Sequence, residues 1–237
     1  MDNGVKGSVA MGALIGAGLA LMGYLLGSSL IRFKEYERVV SVKGLAEREM
    51  PADTAVWPIR FVAANADLPA LYASVDADSK AIVAFLTASG FEPGEITVAA
   101  PSVTDKLAQQ YGSPEHVVLR YSAQQAITVY TKRVDLVRQT ANRLPELGRK
   151  GIAFGGSEYG HTEFLFTKLN DVKPAMIEEA TRKAREVAEK FANDSNSKLG
   201  KIRSANQGQF TISDRDSNTP HIKNVRVVAT VDYYLSD

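Results

Sequence analysis

The chain predicts an α+β fold with a mostly antiparallel sheet, preceded by one N-terminal transmembrane helix. Three observations carry this expectation. Extended, β-branched segments come in adjacent pairs. Amphipathic helical segments interrupt those pairs instead of alternating with single strands, which argues against a doubly wound parallel sheet. No charged residue stands between Lys6 and Arg32. The 237 residues accordingly divide into a signal anchor over 1–31, a charged connector over 32–37 and a domain over 38–237.

Gly7–Ile31 is 25 uncharged residues, roughly 37 Å as a helix against a hydrocarbon core of about 30 Å. Cleaved signal peptides carry a shorter apolar run, about 7–15 residues. Length therefore favours a retained anchor over cleavage near Gly27 and Ser29, with residues 8–31 crossing the bilayer. Gly12/Gly16 and Gly23/Gly27 would allow close helix approach. The cations Arg32, Lys34, Arg38 and Lys43 follow the run, and a literal count of positive charge places the domain in the cytoplasm.

Val39–Glu47 reads as a strand, and Met50-Pro51-Ala52-Asp53 as a turn. Thr54–Ala64 alternates at period two, with Ala55, Trp57, Ile59, Phe61 and Ala63 on one face. Pro58 lies inside it and cannot donate to a ladder, which predicts an edge strand or a bulge. Asp67–Ser89 predicts a helix with Leu71, Val75, Ile82, Phe85 and Leu86 inward and Gly90 as its stop. Ile96–Val103 reads as a strand, Thr104–Glu115 as a polar loop and Val117–Thr131 as a long strand. Val134–Leu147 reads as a helix that Pro145 shortens, with Leu136, Thr140 and Leu144 together. Ile152–Phe154 and Thr162–Thr167 are extended. Asp171–Lys198 is a long helix whose stripe is Val172, Met176, Ala180, Ala184, Val187 and Phe191. Glu178/Arg182, Glu179/Lys183 and Glu186/Lys190 are favourable i,i+4 pairs on it. Lys201–Ile212 and Val225–Leu235 close the chain as strands.

The balance of 28 Lys+Arg against 27 Asp+Glu gives no reason to expect a nucleic acid. Zero Cys excludes disulfides, thiolate metal sites and a cysteine nucleophile. His116, His161 and His221 lie far apart and read as ordinary surface or hydrogen-bonded histidines. Gly155-Gly156-Ser157-Glu158-Tyr159 begins like a nucleophile elbow but carries Tyr159 where that pattern needs Gly. Gly148–Gly160 lacks the Gly-Lys-Ser/Thr ending of a phosphate loop and reads as a connection. Glu47 and Glu49 read as a solvated strand face. Arg182, Lys183 and Arg185 read as a salt-bridged helix face. No catalytic, cofactor-binding or metal-binding residue is assigned, and no cofactor is expected.

Five segments carry a family resemblance. Val40–Glu47 followed by Pro51-Ala52-Asp53-Thr54-Ala55 resembles the opening of SIMPL-domain proteins. Ala180–Ala192, Leu199-Gly200-Lys201-Ile202 and Val225–Val231 resemble that family's long helix, its exit and its closing strand. The likeness spans about residues 38–235 and implies a bacterial envelope protein of the periplasmic or outer-membrane immunogenic type. It further implies ring-like homo-oligomers and a link to oxidative stress. It carries no catalytic residues. With the anchor, the expectation is a non-enzymatic inner-membrane protein that crosses once, holds its domain in the periplasm and assembles with itself. A periplasmic ligand-binding module or enzyme of unknown specificity is the alternative.

Overall fold

The computed structural model describes residues 2–35, 38–108, 118–155 and 161–236. The chain forms helix α1 (Asp2–Glu35), strands β1 (Val39–Pro51) and β2 (Thr54–Asn65), and helix α2 (Leu68–Ala88). Strands β3 (Ile96–Val98), β4 (Ser102–Asp105) and β5 (Tyr121–Thr131) follow, then helices α3 (Val134–Ala141) and α4 (Pro145–Gly148). Strands β6 (Ala153–Phe154) and β7 (Glu163–Leu165), helix α5 (Leu169–Asp194), and strands β8 (Lys198–Gln207), β9 (Thr211–Asp214) and β10 (Ile222–Ser236) complete it. The described sheets have the orders β1-β10-β8, with β9 on β10, and β3-β5-β2-β6, with β4 on β5 and β7 on β2. The registers are antiparallel. The α+β class with antiparallel sheets is as expected.

Two compact units divide the chain. The first comprises 1–47, 172–211 and 226–237, and the second 48–171 and 212–225.

In the first unit, α5 buries Met176, Ala180, Ala184, Ala188 and Ala192. This corrects the predicted stripe. Val187 and Phe191 are 36% and 55% exposed, beside the buried row. The reason is Gly44 of β1. A Cβ there would lie 1.8 Å from the carbonyl oxygen of Ala180 and 2.5 Å from the amide nitrogen of Ala184. Strand backbone touches helix backbone, so only small side chains fit between them. Val42, Val231 and Tyr233 pack with Ala184 and Ala188 on the sheet side. The helix ends at Asp194, not at Lys198. Asn196 takes a left-handed φ of 50°, and the Ser197 N–H bonds back to the Ala192 carbonyl at 2.8 Å, which closes a Schellman turn.

In the second unit, α2 and α3 cover one face of the sheet that β2 and β5 centre. Trp57, Ile59 and Phe61 of β2 pack there with Leu71, Ile82 and Leu86 of α2 and Ile127 and Val129 of β5. Asp67 caps α2 by accepting from Ala70 N–H at 3.0 Å, and Gly90 ends it at φ +103°. Phe85 is only partly buried. The Pro58 expectation of an edge strand or a bulge is not met, since the register with β5 runs through Pro58 without a shift. β2 pairs with β5 from Ala55 to Asn65, so it is no edge strand. On its other side it meets β7 at 54–56 and β6 at 61–62, and Pro58 falls in the gap between them.

Other boundaries also moved. The strand predicted over 96–103 splits into β3 and β4 around Pro101. The strand predicted from 117 begins only at Tyr121, and Val118 is 84% exposed before it. The helix predicted over 134–147 breaks before Pro145 into α3 and α4, burying Val137, Thr140 and Leu147. The last pair of predicted strands is three, since 201–212 divides into β8 and β9.

The predicted N-terminal helix is present as α1. Among the described residues, however, no helix is long and apolar enough to cross a membrane. The side chains described in α1 are Met11, Gly12 and 14–28. The ends of the uncharged run lie outside them, and the expected span is not shown among the described residues.

Candidate functional site

The second unit holds a cleft of about 730 Å³. Its walls come from α3, the segment before and within β7, and the turn that joins β9 to β10. Two of the three histidines meet there, His161 and His221. Sequence separation of 60 residues gave no hint of this. His116 lies outside the described residues.

His221 is fixed from both ends. Its carbonyl accepts from Ala52 N–H at 2.8 Å. Its ring stands edge-on to Phe164, with centroids 6.0 Å apart and planes at 71°. Burial, then the nearby Arg138 guanidinium, lowers its pKa below the ordinary histidine value. Asp135 and Asp216 oppose that, and Arg215 adds to it. Burial and Arg138 both favour the neutral imidazole, in which one ring nitrogen accepts and the other donates. Arg138 itself pairs with Asp135 at 3.1 Å. Asp214 pairs with Lys223.

The turn behind His221 is built on Asp216. Its carboxylate accepts from the backbone N–H groups of Asn218 and Thr219 at 2.8 Å each. It also accepts from the Thr219 hydroxyl. The Thr219 hydroxyl first, then Arg215, holds the carboxyl well below the usual carboxylate range against the opposing effect of burial, and the backbone N–H groups of Asn218 and Thr219 add to the lowering. Arg215 reaches Glu49 on β1 at 3.3 Å as well, so Glu49 is an ion-pair partner rather than a bare carboxylate.

A second anchored carboxylate is Asp53, in the β1–β2 turn. It accepts from the Thr167 hydroxyl at 2.8 Å and from Thr54 at 2.9 Å. The backbone N–H groups of Thr167 and Lys168 donate to it at 2.8 and 3.1 Å. Burial works to raise its pKa, but the hydrogen bonds from Thr167, Thr54 and Lys168 together lower it. Asp53 thus caps the start of α5 from another element. The turn chemistry of residues 50–53 was visible in the sequence; this long-range cap was not.

The remaining candidates resolve simply. Arg182, Lys183 and Arg185 pair with Glu186, Glu179 and Glu189 at 2.8, 2.9 and 3.0 Å. The Glu179/Lys183 pair was predicted; Arg182 turns toward Glu186 instead of Glu178. Ser157 and Tyr159 lie outside the described residues, as do Gly156, Glu158 and Gly160, whereas residues 148–155 of the glycine-rich segment are described. Gly155 follows β6, and its N–H donates to the Arg60 carbonyl at 3.4 Å. Among the described residues no three His, Cys, Asp or Glu side chains gather as a metal-holding group.

What the cleft can do is bind. It offers a neutral imidazole beside a paired guanidinium, with side-chain amides from Gln139 and Asn142. The SIMPL family model, described as a protein of unknown function (DUF541), matches residues 40–232. No match is found among curated proteins.

Proposed function

The chain belongs to the SIMPL family, and on that premise we propose that it is a membrane-tethered envelope protein that acts through homo-oligomeric assembly rather than by turnover. The observation that carries the tether is the surface of α1. Leu14, Ile15, Leu19, Leu21, Met22, Tyr24, Leu25 and Leu26 are 55–75% exposed. At about 100° per residue they cover roughly 220° of the helix, and Gly12, Gly16, Ala20, Gly23 and Gly27 fill the remaining face without a charge. A helix apolar all round needs an apolar surrounding, either a protein core or a bilayer. Ser28 donates to the Leu25 carbonyl at 3.0 Å, which satisfies its hydroxyl without water. The apolar sequence continues over residues 7–31, long enough to span.

Assembly has separate support. β8 ends its sheet order, and nine of its ten residues are exposed. An exposed edge strand of that length is a template for pairing with another chain. The family resemblance supports the periplasmic side and a role in stress tolerance.

Two measurements test this reading. An alkaline carbonate wash should leave the full chain in the membrane pellet; release would remove the tether. A C-terminal alkaline phosphatase fusion should be active, because that enzyme needs the oxidising periplasm. An inactive fusion would reverse the sidedness. The cleft around His221 favours a second reading, a ligand-binding module. A small molecule that co-purifies with a monomeric chain and shields His221 would favour it over assembly.

A further inference from the structure

Two half-buried charges of the second unit stand without a partner. The first is Arg60 of β2. Every other arginine whose side chain is described is exposed. Arg60 is half-buried, and its Nε is buried with no hydrogen-bond partner. It alternates with Ile59 and Phe61, which pack under α2, so it points to the opposite face of the sheet. Pro58 and Val62 flank it on that face, and Ala126 of β5 lies across from it. No other residue of β2 or β5 is charged. Glu163 of β7 pairs with Val56, about 13 Å from Arg60 along the strand.

The second is Asp78 of α2. It lies one turn from the buried Val75 and Ile82, at the edge of the buried stripe. Burial raises its pKa, and no cation lowers it. Asp53, Glu95, Asp105, Glu179 and Asp232, the other half-buried carboxylates among the described residues, all accept a hydrogen bond or pair with a cation.

An unpaired charge half out of water costs stability, and two of opposite sign can relieve each other. Within one copy these two cannot meet, because α2 covers one face of the sheet and Arg60 points to the other. Between copies they can. The surroundings of Arg60 suit such a contact, since an interface core is depleted of other charges.

We infer that copies of the chain meet head to tail through the second unit, with Arg60 on the open sheet face of one copy paired to Asp78 on α2 of the next. The inference rests on the assembly proposed above and adds which surfaces meet. The two patches differ, so the contact is heterologous and repeats from copy to copy, as a ring requires. The β8 edge belongs to the first unit and is a separate contact.

Charge reversal in the full chain, read by native mass in detergent, tests this. The wild-type chain should be oligomeric. Arg60→Asp or Asp78→Arg alone should weaken association roughly hundredfold, and the two together should restore the wild-type mass. Circular dichroism should be the same in all three variants. A cross-link gives a reading that needs no reversal. The chain has no Cys, so Arg60→Cys combined with Asp78→Cys should give a ladder of covalent multimers with a short bismaleimide, whereas neither single variant should. A wild-type monomer would overturn the assembly, and the inference with it. An oligomer that survives Arg60→Asp would overturn this contact and leave assembly through β8 standing. Dissociation by Arg60→Asp that added Asp78→Arg does not reverse would overturn Asp78 as the partner. Where a reversal fails to fold, the cross-link decides: an oligomeric chain that yields no ladder overturns the contact.

Discussion

The two units solve the same problem, a helix on an antiparallel sheet, with opposite packing. In the second unit large side chains fill the interface: Trp57, Phe61 and Phe91 with Leu71, Ile82 and Leu86. In the first, a row of alanines and one glycine bring the backbones of α5 and β1 into contact. The difference teaches which errors each interface tolerates. A core of large side chains loses stability when volume is removed. A backbone-to-backbone contact loses it when volume is added, because nothing there can move aside.

Substitutions of opposite sign should separate the two. The largest effect is expected at Gly44. Gly44→Val would force β1 off α5 and should cost more than about 3 kcal/mol, read as loss of the folded first unit by circular dichroism and proteolysis. Near-native unfolding would mean that β1 does not lie on the Ala180–Ala184 backbone. Next is Phe61→Ala in the second unit, where the cavity should cost about 3–5 kcal/mol in denaturant unfolding.

Asp53→Ala comes third. Loss of the cap on α5 should cost about 1–2 kcal/mol. The wild-type carboxyl titrates below its ordinary value of 3.8. Its contribution is therefore full above that ordinary value and is lost as pH falls through the lower folded value. The variant should lack this acid-side loss, so the two stability curves converge at low pH; parallel curves would contradict the cap. Smallest of all is Phe191→Ser, expected within about 0.5 kcal/mol because the side chain lies outside the buried row. A cost near that of Phe61→Ala would restore Phe191 to the core of α5.

The same contrast explains what could be read in the sequence. β2 was legible because Ala55, Trp57, Ile59 and Phe61 alternate and all are buried. The same holds for Val225, Val227, Ala229, Val231 and Tyr233 of β10. α5 was legible as a helix but not in its contact face. Hydrophobicity selects Val187 and Phe191, whereas the approach of Gly44 selects alanine, and that approach is a property of two elements about 140 residues apart. Pro58 was read as the mark of an edge strand or a bulge, yet its missing donor is absorbed by a local gap between β6 and β7. The cleft was not legible at all. Its residues come from a helix, a short strand with its approach and a turn, and no period links them. Asp53 gave a partial signal, since an aspartate after Pro51 and Ala52 marks a turn, but its acceptors' partners stand at Thr167 and Lys168.

Assembly of the tethered chain is the claim on which the functional reading depends most. Native mass measurement of the full chain, extracted in detergent and studied at tens of micromolar, tests it most directly. The account predicts a discrete oligomer, an integral multiple of 25.7 kDa, that resists dilution. A single species of 25.7 kDa throughout would contradict it.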